Sequence, residues 1–95
     1  REPTHPGEIL REEFLEPMEL KQQELANAIH VPFQRVNEIV RCRRAISTST
    51  ALRLARYFGT SAGFWMNLQL RYDLYQTERS EKASLEEIEP LHHVG

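Results

Sequence analysis

The side chains best suited to chemistry in this sequence lie close together, between residues 33 and 38. Glutamine and asparagine amides can pair with adenine, arginine can pair with guanine, and glutamate can accept a hydrogen bond from cytosine. An aromatic ring at the same surface could pack against a thymine methyl group. The residues that could read DNA bases in this way are Phe33, Gln34, Arg35, Asn37 and Glu38. The alternative is that they form the ordinary polar face of a solvated helix.

Basic and polar residues flank this segment and could bind DNA phosphates. Two of them stand where a preceding helix would begin, and the free N–H groups of a helix N-terminus suit an anion. Three arginines follow the segment, in a loop. Phosphate contacts set affinity and register, whereas base contacts set sequence preference. The predicted DNA-backbone contacts are Lys21, Gln22, Arg41, Arg43 and Arg44; the alternative for them is a solvated loop surface.

The charge of the chain is unevenly distributed. The whole sequence has a net charge of −2, which by itself argues weakly against nucleic-acid binding. Residues 21–60 nevertheless hold seven Lys and Arg against two Glu, a net charge of +5, while residues 1–20 carry −4 and residues 61–95 carry −3. A central basic region is typical of a surface that faces phosphates. Because a solvated basic face gives the same pattern, charge alone leaves both interpretations open.

Two short helices must position these residues. The apolar spacing predicts one helix from about 22 to 29 and another from 32 to about 40, joined by a tight turn at His30 and Val31. A small alanine in the middle of the first helix would let the second helix cross it closely. The residues expected to fix this crossing are Leu25, Ala26, Ile29, Val36 and Ile39. The arrangement is a helix-turn-helix, whose second helix can enter a DNA major groove.

Flanking helices would complete the core. A first helix opens at Pro6, which suits a first helical turn, and ends before Pro17. Ser47 is a suitable N-cap for a fourth helix, and Gly59 can end that helix in the left-handed conformation. No segment alternates apolar and polar residues as a strand would. The sequence therefore predicts an all-α fold.

A fifth helix follows, capped by Thr60 or Ser61 and running to about Thr77. The chain is thus expected to form a five-helix DNA-binding domain over residues 1–77. The acidic extension, residues 78–95, would be either one more short helix or a loose tail.

The fifth helix has apolar residues on two faces. One face is expected to join the core and contains Phe64, Trp65, Leu68, Tyr72 and Tyr75. Polar residues, including Gln69, are expected to lie between the two faces. The second face contains Met66, Leu70 and Leu74. A second apolar face indicates either a homodimer interface or packing beneath the C-terminal tail.

Four stretches of the sequence resemble the HigA (VapI) antitoxin branch of the Cro/C1-like repressors. They are PGEIL at residues 6–10, the helix-turn-helix at 22–39, ALRLARYFGTS at 51–61 and FWMNLQ at 64–69. The resemblance spans roughly residues 5–75. It implies a five-helix lambda repressor-like domain, a homodimer that binds operator DNA, and repression of its own operon. It also implies binding to a cognate HigB-like ribonuclease toxin.

The sequence departs from that family at two positions. The turn of the helix-turn-helix usually carries glycine, because its backbone adopts a positive φ, and here it is His30. The loop after the recognition helix usually carries Asn-Gly, and here it is Arg41 and Cys42. A left-handed non-glycine residue costs about 1 kcal/mol, although histidine is among the better tolerated. Neither change is expected to break the fold, but both could alter DNA contacts.

Other classes of function have little support in the sequence. The four histidines, His5, His30, His92 and His93, fit no zinc-binding spacing, so no metal and no cofactor are expected. No nucleophile and base are paired as in an enzyme, and no glycine-rich loop could cradle a phosphate. No apolar run is long enough to span a membrane. The single cysteine, Cys42, fits a reducing cytoplasm and is expected to be an inert, partly buried thiol.

Three functions remain open at this point. The first is a DNA-binding antitoxin that represses its own operon. The second is an antitoxin that binds its toxin but has little DNA affinity, which the departures at His30, Arg41 and Cys42 would allow. The third is a solitary transcriptional repressor without a toxin.

Overall fold

The computed structural model describes residues 2–91, in which every regular element is a helix. Five long or medium helical regions match the five that the sequence predicts, so the all-α fold is confirmed. The elements are α1 (Pro6–Ile9), a π-helical segment that continues it (Leu10–Leu15), α2 (Gln22–Ile29), α3 (Phe33–Val40), α4 (Thr48–Phe58), α5 (Ala62–Ser80) and α6 (Lys82–Glu86).

Two features of this order go beyond the sequence prediction. The first helix changes to π-helical hydrogen bonding at Leu10. The C-terminal extension begins with the short helix α6, and α5 continues to Ser80 rather than ending near Thr77.

His92 and His93, which were considered above as metal ligands, lie outside the described residues. No helix within residues 2–91 combines the length and the apolar character that a membrane span requires.

The helix ends follow from local sequence. Ser47 caps α4 because its hydroxyl accepts the N–H of Thr50 at 3.2 Å. Ser61 caps α5 in the same way. Gly59 ends α4 with φ of 77°, a conformation that glycine adopts without steric cost. These local signals fix both ends of α4 and the start of α5 before any long-range packing is considered.

The core is centred on Trp65 of α5, which is fully buried. Its ring lies 5.0 Å from that of Phe14 and 6.4 Å from that of Phe58, measured between ring centroids. Its indole N–H donates to the hydroxyl of Thr60 at 2.8 Å, so the one polar atom of this side chain is satisfied. Leu68 is partly buried against the same cluster. The predicted burial of Trp65 and Leu68 on the core face of α5 is therefore confirmed.

Helix α1 crosses the carboxyl end of α3 at very short range. A Cβ atom built on Gly7 would lie 1.7 Å from the backbone oxygen of Ile39, far inside any allowed contact. Both residues are buried. The crossing therefore requires glycine at position 7 and sets the distance between α1 and α3.

We expect Gly7→Ala to lower the free energy of unfolding by about 1–3 kcal/mol or more, because the new methyl group must push α1 away from α3. Chemical denaturation followed by circular dichroism measures the change. Gly63→Ala is the matched control: its Cβ would meet only the Ser61 hydroxyl at 3.9 Å, and alanine is favoured by roughly 1 kcal/mol inside a helix. Equal stability of Gly7→Ala and the unmodified chain would contradict the close crossing.

The buried His5 joins α1 to α5. Its Nδ1 accepts the N–H of Gly7 at 2.9 Å and so caps α1, and its ring meets Tyr72 edge-on at 4.7 Å. Desolvation by burial lowers the pKa of His5 below its ordinary value, although the charges of Asp73 and Glu8 act in the opposite direction. Neutral His5 is therefore the form that stabilises the fold, because protonated Nδ1 cannot accept a hydrogen bond.

A lowered histidine pKa makes stability depend on pH in a defined direction. The unfolded chain binds a proton at His5 more readily than the folded chain, so the free energy of unfolding should fall as pH drops below about 6.5. The contribution is complete above that pH. His5→Ser replaces the ring nitrogen by a hydroxyl oxygen that can still accept a hydrogen bond at the cap, and it removes the titration, so the stability of this variant should change less between pH 7 and 5. Denaturation at both pH values measures the difference, and equal slopes for the two proteins would refute the role of His5.

Candidate nucleic-acid interface

The turn between α2 and α3 has the geometry of a helix-turn-helix. His30 takes the left-handed conformation with φ of 61° and ψ of 48°, as predicted for the position where glycine is usual. The N–H of Val31 donates to the carbonyl of Ala26 at 3.0 Å, which closes the turn. The guanidinium of Arg53, on α4, donates to the carbonyl of Ile29 at 2.9 Å. The sequence analysis gave Arg53 no role, since nothing in the spacing pairs it with α2.

The crossing of α2 and α3 is apolar and closed to solvent. All five residues predicted to fix it are buried: Leu25, Ala26, Ile29, Val36 and Ile39. Because this face of α3 is committed to the core, its opposite face must point outward. The structure thus leaves one polar side of α3 available to a partner.

The five residues predicted to read bases are not equally exposed on that side. Phe33 and Gln34 are exposed at the start of α3, whereas Arg35, Asn37 and Glu38 are half-buried. The amide nitrogen of Asn37 donates to Oε1 of Gln22 at 3.0 Å. This bond joins a predicted base-reading residue to a predicted phosphate contact, and it ties the start of α2 to the middle of α3.

The carboxylate of Glu38 has two partners in the same surface. Its Oε1 accepts from Nε of Arg44 at 2.7 Å, and its Oε2 accepts from the amide of Gln34 at 3.3 Å. The bond from Arg44 is the largest cause that lowers the pKa of Glu38, so the carboxylate stays ionised. The structure therefore brings together two predicted base-reading residues and one predicted phosphate contact.

The predicted phosphate contacts lie on either side of α3. Lys21 is exposed at the start of α2, where its backbone N–H donates to Glu24 at 2.8 Å. Gln22 is half-buried through its bond with Asn37. The residues of the following loop are exposed: Arg41, Arg43 and Arg44. Gln22 and Arg44 therefore contact side chains of α3, and Arg41 and Arg43 follow α3 directly in the chain.

The loop after α3 turns sharply at Cys42, which has φ of 62° where the resembling family has glycine. The N–H of Arg43 donates to the carbonyl of Glu38 at 2.8 Å, so the loop folds back onto the end of α3. Desolvation by burial raises the pKa of the Cys42 thiol, although the residue as a whole is exposed. This direction agrees with the predicted unreactive thiol, because the thiol rather than the thiolate is favoured. The prediction that Cys42 is partly buried is wrong, because the residue lies exposed in the loop after α3.

A buried glutamine holds the end of this loop, and the sequence analysis missed it. Gln69 was expected to lie among the polar residues between the two apolar faces of α5, but it is buried. Its Oε1 accepts the N–H of Ile46 at 2.8 Å, and its amide donates to Asp73 at 2.8 Å. The available signal was its position four residues after Trp65, which places both side chains on one helix face. The expectation was wrong because a pattern of apolar and polar residues treats every glutamine as a polar surface residue. Gln69 is buried instead because the backbone N–H of Ile46 in the loop needs a hydrogen-bond acceptor.

The second apolar face of α5 divides into two parts. Met66 is partly buried and packs against the core. Leu70 and Leu74 are 53% and 61% exposed, so the described part of the C-terminal extension does not cover them. At 100° per residue they lie about 140° and 180° around the helix from Trp65.

Within residues 2–91, no three His, Cys, Asp or Glu side chains are grouped so as to hold a metal ion.

Comparison with known proteins places these features in a family. The helix-turn-helix family model HTH_3 matches residues 12–65, more than half of the chain. Virulence-associated protein I of Dichelobacter nodosus is 55% identical over 87 residues, covering 92% of this chain and 80% of that protein. Antitoxin HigA-1 of Vibrio cholerae is 32% identical over 91 residues, covering 96% of this chain and 86% of that protein.

Comparison with solved structures identifies proteins of the same kind as these relatives. The Pseudomonas aeruginosa antitoxin HigA, solved with the higBA promoter, is 49% identical with a TM-score of 0.91, covering 95% of this chain and 99% of that one. Antitoxin GraA in complex with its operator is 38% identical with a TM-score of 0.91, covering 98% of this chain and 95% of that one. By sequence and by fold, the chain belongs to the helix-turn-helix family and, within it, to the group that contains the HigA antitoxins.

Proposed function

We propose that this chain is an antitoxin that binds operator DNA through α3 and represses its own operon. The observation that carries the proposal is the outward polar face of α3, held between exposed basic residues on a fold that matches HigA and GraA structures solved with promoter or operator DNA. The departures at His30 and Cys42 support it, because both residues adopt the left-handed backbone for which glycine is usual. The turn and the loop therefore keep their geometry despite the substitutions.

Within this proposal the residues divide by position. Gln34 and Arg35 lie in the first turn of α3, which can enter the major groove, and we assign them to base reading, with Phe33 beside them. Lys21, Arg41 and Arg43 are exposed cations on either side and are assigned to phosphates. Asn37 and Gln22 are bonded to each other and are assigned to the edge of the same interface.

A homodimer belongs to the same proposal. One domain of this size contacts a single major-groove face, whereas two copies about 34 Å apart read successive faces and combine their affinities. A two-fold interface uses the same patch on each subunit. Leu70 and Leu74 are exposed apolar side chains that the core does not use, and Met66 lies at the edge of the same patch.

The toxin is the third part of the proposal. Because HigA-1 and GraA are named as antitoxins, we infer that a HigB-like ribonuclease is the partner of this chain. A short reading frame for a basic ribonuclease-like protein directly upstream of the gene is the expected finding. Its absence would favour the solitary repressor. A toxin-binding chain that fails to shift its own promoter would favour the antitoxin with little DNA affinity.

Substitutions in α3 and in the loop should have different effects on DNA binding. Gln34→Ala or Arg35→Ala should cost roughly 1–3 kcal/mol on the cognate operator and relax the preference at one base pair. Arg43→Ala should weaken binding to all sequences alike and reduce the slope of log K against log salt by about 1. Gel shifts on the chain's own promoter at several salt concentrations measure both effects. A changed base preference in Arg43→Ala, with none in the α3 variants, would reverse the assignment.

The dimer is tested by Leu70→Glu. The charge should prevent two copies of the patch from meeting. It should leave the fold intact because Leu70 is exposed and lies on a different side of α5 from the buried Trp65. We expect a helical monomer by sedimentation and circular dichroism, with a loss of operator affinity far larger than one phosphate contact explains. Leu52→Glu, the same change at an exposed leucine of α4 outside the patch, is the control and should remain a dimer. A dimeric Leu70→Glu would assign the patch to the toxin or to the C-terminal residues.

A further inference from the structure

The two hydrogen bonds of Glu38 constrain what the outward face of α3 can recognise. Gln34 lies one helical turn before Glu38, and Arg44 reaches the same carboxylate from the loop. Each carboxylate oxygen has one of these donors. A glutamate that reads cytosine must accept a hydrogen bond from the base amino group, and here each oxygen already accepts one bond within the protein, which leaves it a single remaining acceptor site.

The chemistry of the carboxylate fixes the orientation of the Gln34 amide. An ionised carboxylate only accepts hydrogen bonds, so the group of Gln34 that faces it must be the NH₂ group. The carbonyl oxygen of Gln34 and its second N–H then remain for a partner. Adenine offers a donor and an acceptor side by side in the major groove, which matches this pair, whereas guanine offers two acceptors.

We propose that Glu38 is a positioning residue that makes Gln34 selective for adenine over guanine and reads no base itself. The inference rests on the proposed DNA binding and changes the role that the sequence predicts for Glu38. A Gln34 side chain without this partner could donate both of its N–H groups to guanine, or rotate its amide. Selectivity would then fall even though Gln34 itself is unchanged.

Arg44 balances the charge of this arrangement. A carboxylate at the DNA-facing surface would repel phosphates if it were unpaired, and the guanidinium of Arg44 at 2.7 Å offsets that charge. Arg44 keeps further N–H donors for a phosphate, because only its Nε is bonded to Glu38. The pair therefore orients Gln34 without excluding DNA, and Arg44 acts on affinity rather than on base choice.

The test is selection of binding sites from randomised double-stranded DNA, with sequencing of the bound fraction. The unmodified full chain and Gln34→Ala are compared first, and the base pair whose preference disappears is the Gln34 position. We expect the unmodified chain to prefer adenine over guanine there by about tenfold or more. Glu38→Ala should reduce that ratio to about twofold at the same position and leave the other positions unchanged. Circular dichroism checks that each variant is folded.

Two further variants separate orientation from charge and packing. Glu38→Gln keeps the size of the side chain but can either donate or accept, so it should also lose most of the adenine preference. Arg44→Ala should keep the preference and weaken binding to every sequence, with a salt slope smaller by about 1. Full preference in Glu38→Gln beside its loss in Glu38→Ala would mean that packing, rather than the carboxylate, is responsible, and would overturn the inference.

The remaining outcomes are also decisive. Loss of preference at a second position in Glu38→Ala would show that Glu38 reads a base directly. An unchanged adenine preference in that variant, or a base other than adenine at the Gln34 position, would likewise overturn the proposed positioning. Each of these results leaves the proposed operator binding intact. An unmodified chain that selects no sequence would instead contradict the proposed function, and the inference with it.

Discussion

The approach of Gly7 to the carbonyl of Ile39 sets the position of α3, the helix on which the candidate interface is built. Helix α1 lies against both α3 and α5, so it connects the outward-facing helix to the core around Trp65. His5 caps α1 and touches Tyr72 of α5, which fixes the same connection from the other end. Because protein interiors are close-packed, a shift of α1 would be transmitted to α3 rather than absorbed between them.

Three side-chain hydrogen bonds, each between two different elements, hold the segments next to α3 in place. Arg53 of α4 binds the carbonyl at the end of α2, Asn37 of α3 binds Gln22 at the start of α2, and Gln69 of α5 binds the backbone of the loop at Ile46. Two of these bonds join α2 or the loop to α4 and α5, and the third joins α2 to α3. A pre-organised surface of this kind loses less conformational entropy on binding, which favours affinity without enlarging the interface.

Electrostatics gives this small acidic protein one face that suits DNA. The basic residues lie in the middle of the chain, and the two glutamates of that region are both engaged, Glu24 with the backbone of Lys21 and Glu38 with Arg44 and Gln34. An engaged carboxylate repels phosphate less than a free one and can still orient its neighbours. The arginines of the loop after α3 are exposed, so salt would screen their contacts with phosphates.

The sequence by itself determined the five main helices and most of their ends, because apolar periodicity, Ser47, Ser61, Gly59 and the turn at His30 act over a few residues. It did not determine the extension of α5 to Ser80. It also located the residues of the outward face of α3, since the buried side of a short helix defines its exposed side. Tertiary structure alone decided how the polar side chains pair. Gln69 and Arg53 bind backbone atoms that are 23 and 24 residues away along the chain, and Glu38 binds Arg44 across the loop. Such pairs depend on where buried donors and acceptors come to lie after the helices pack, and periodicity carries no information about that.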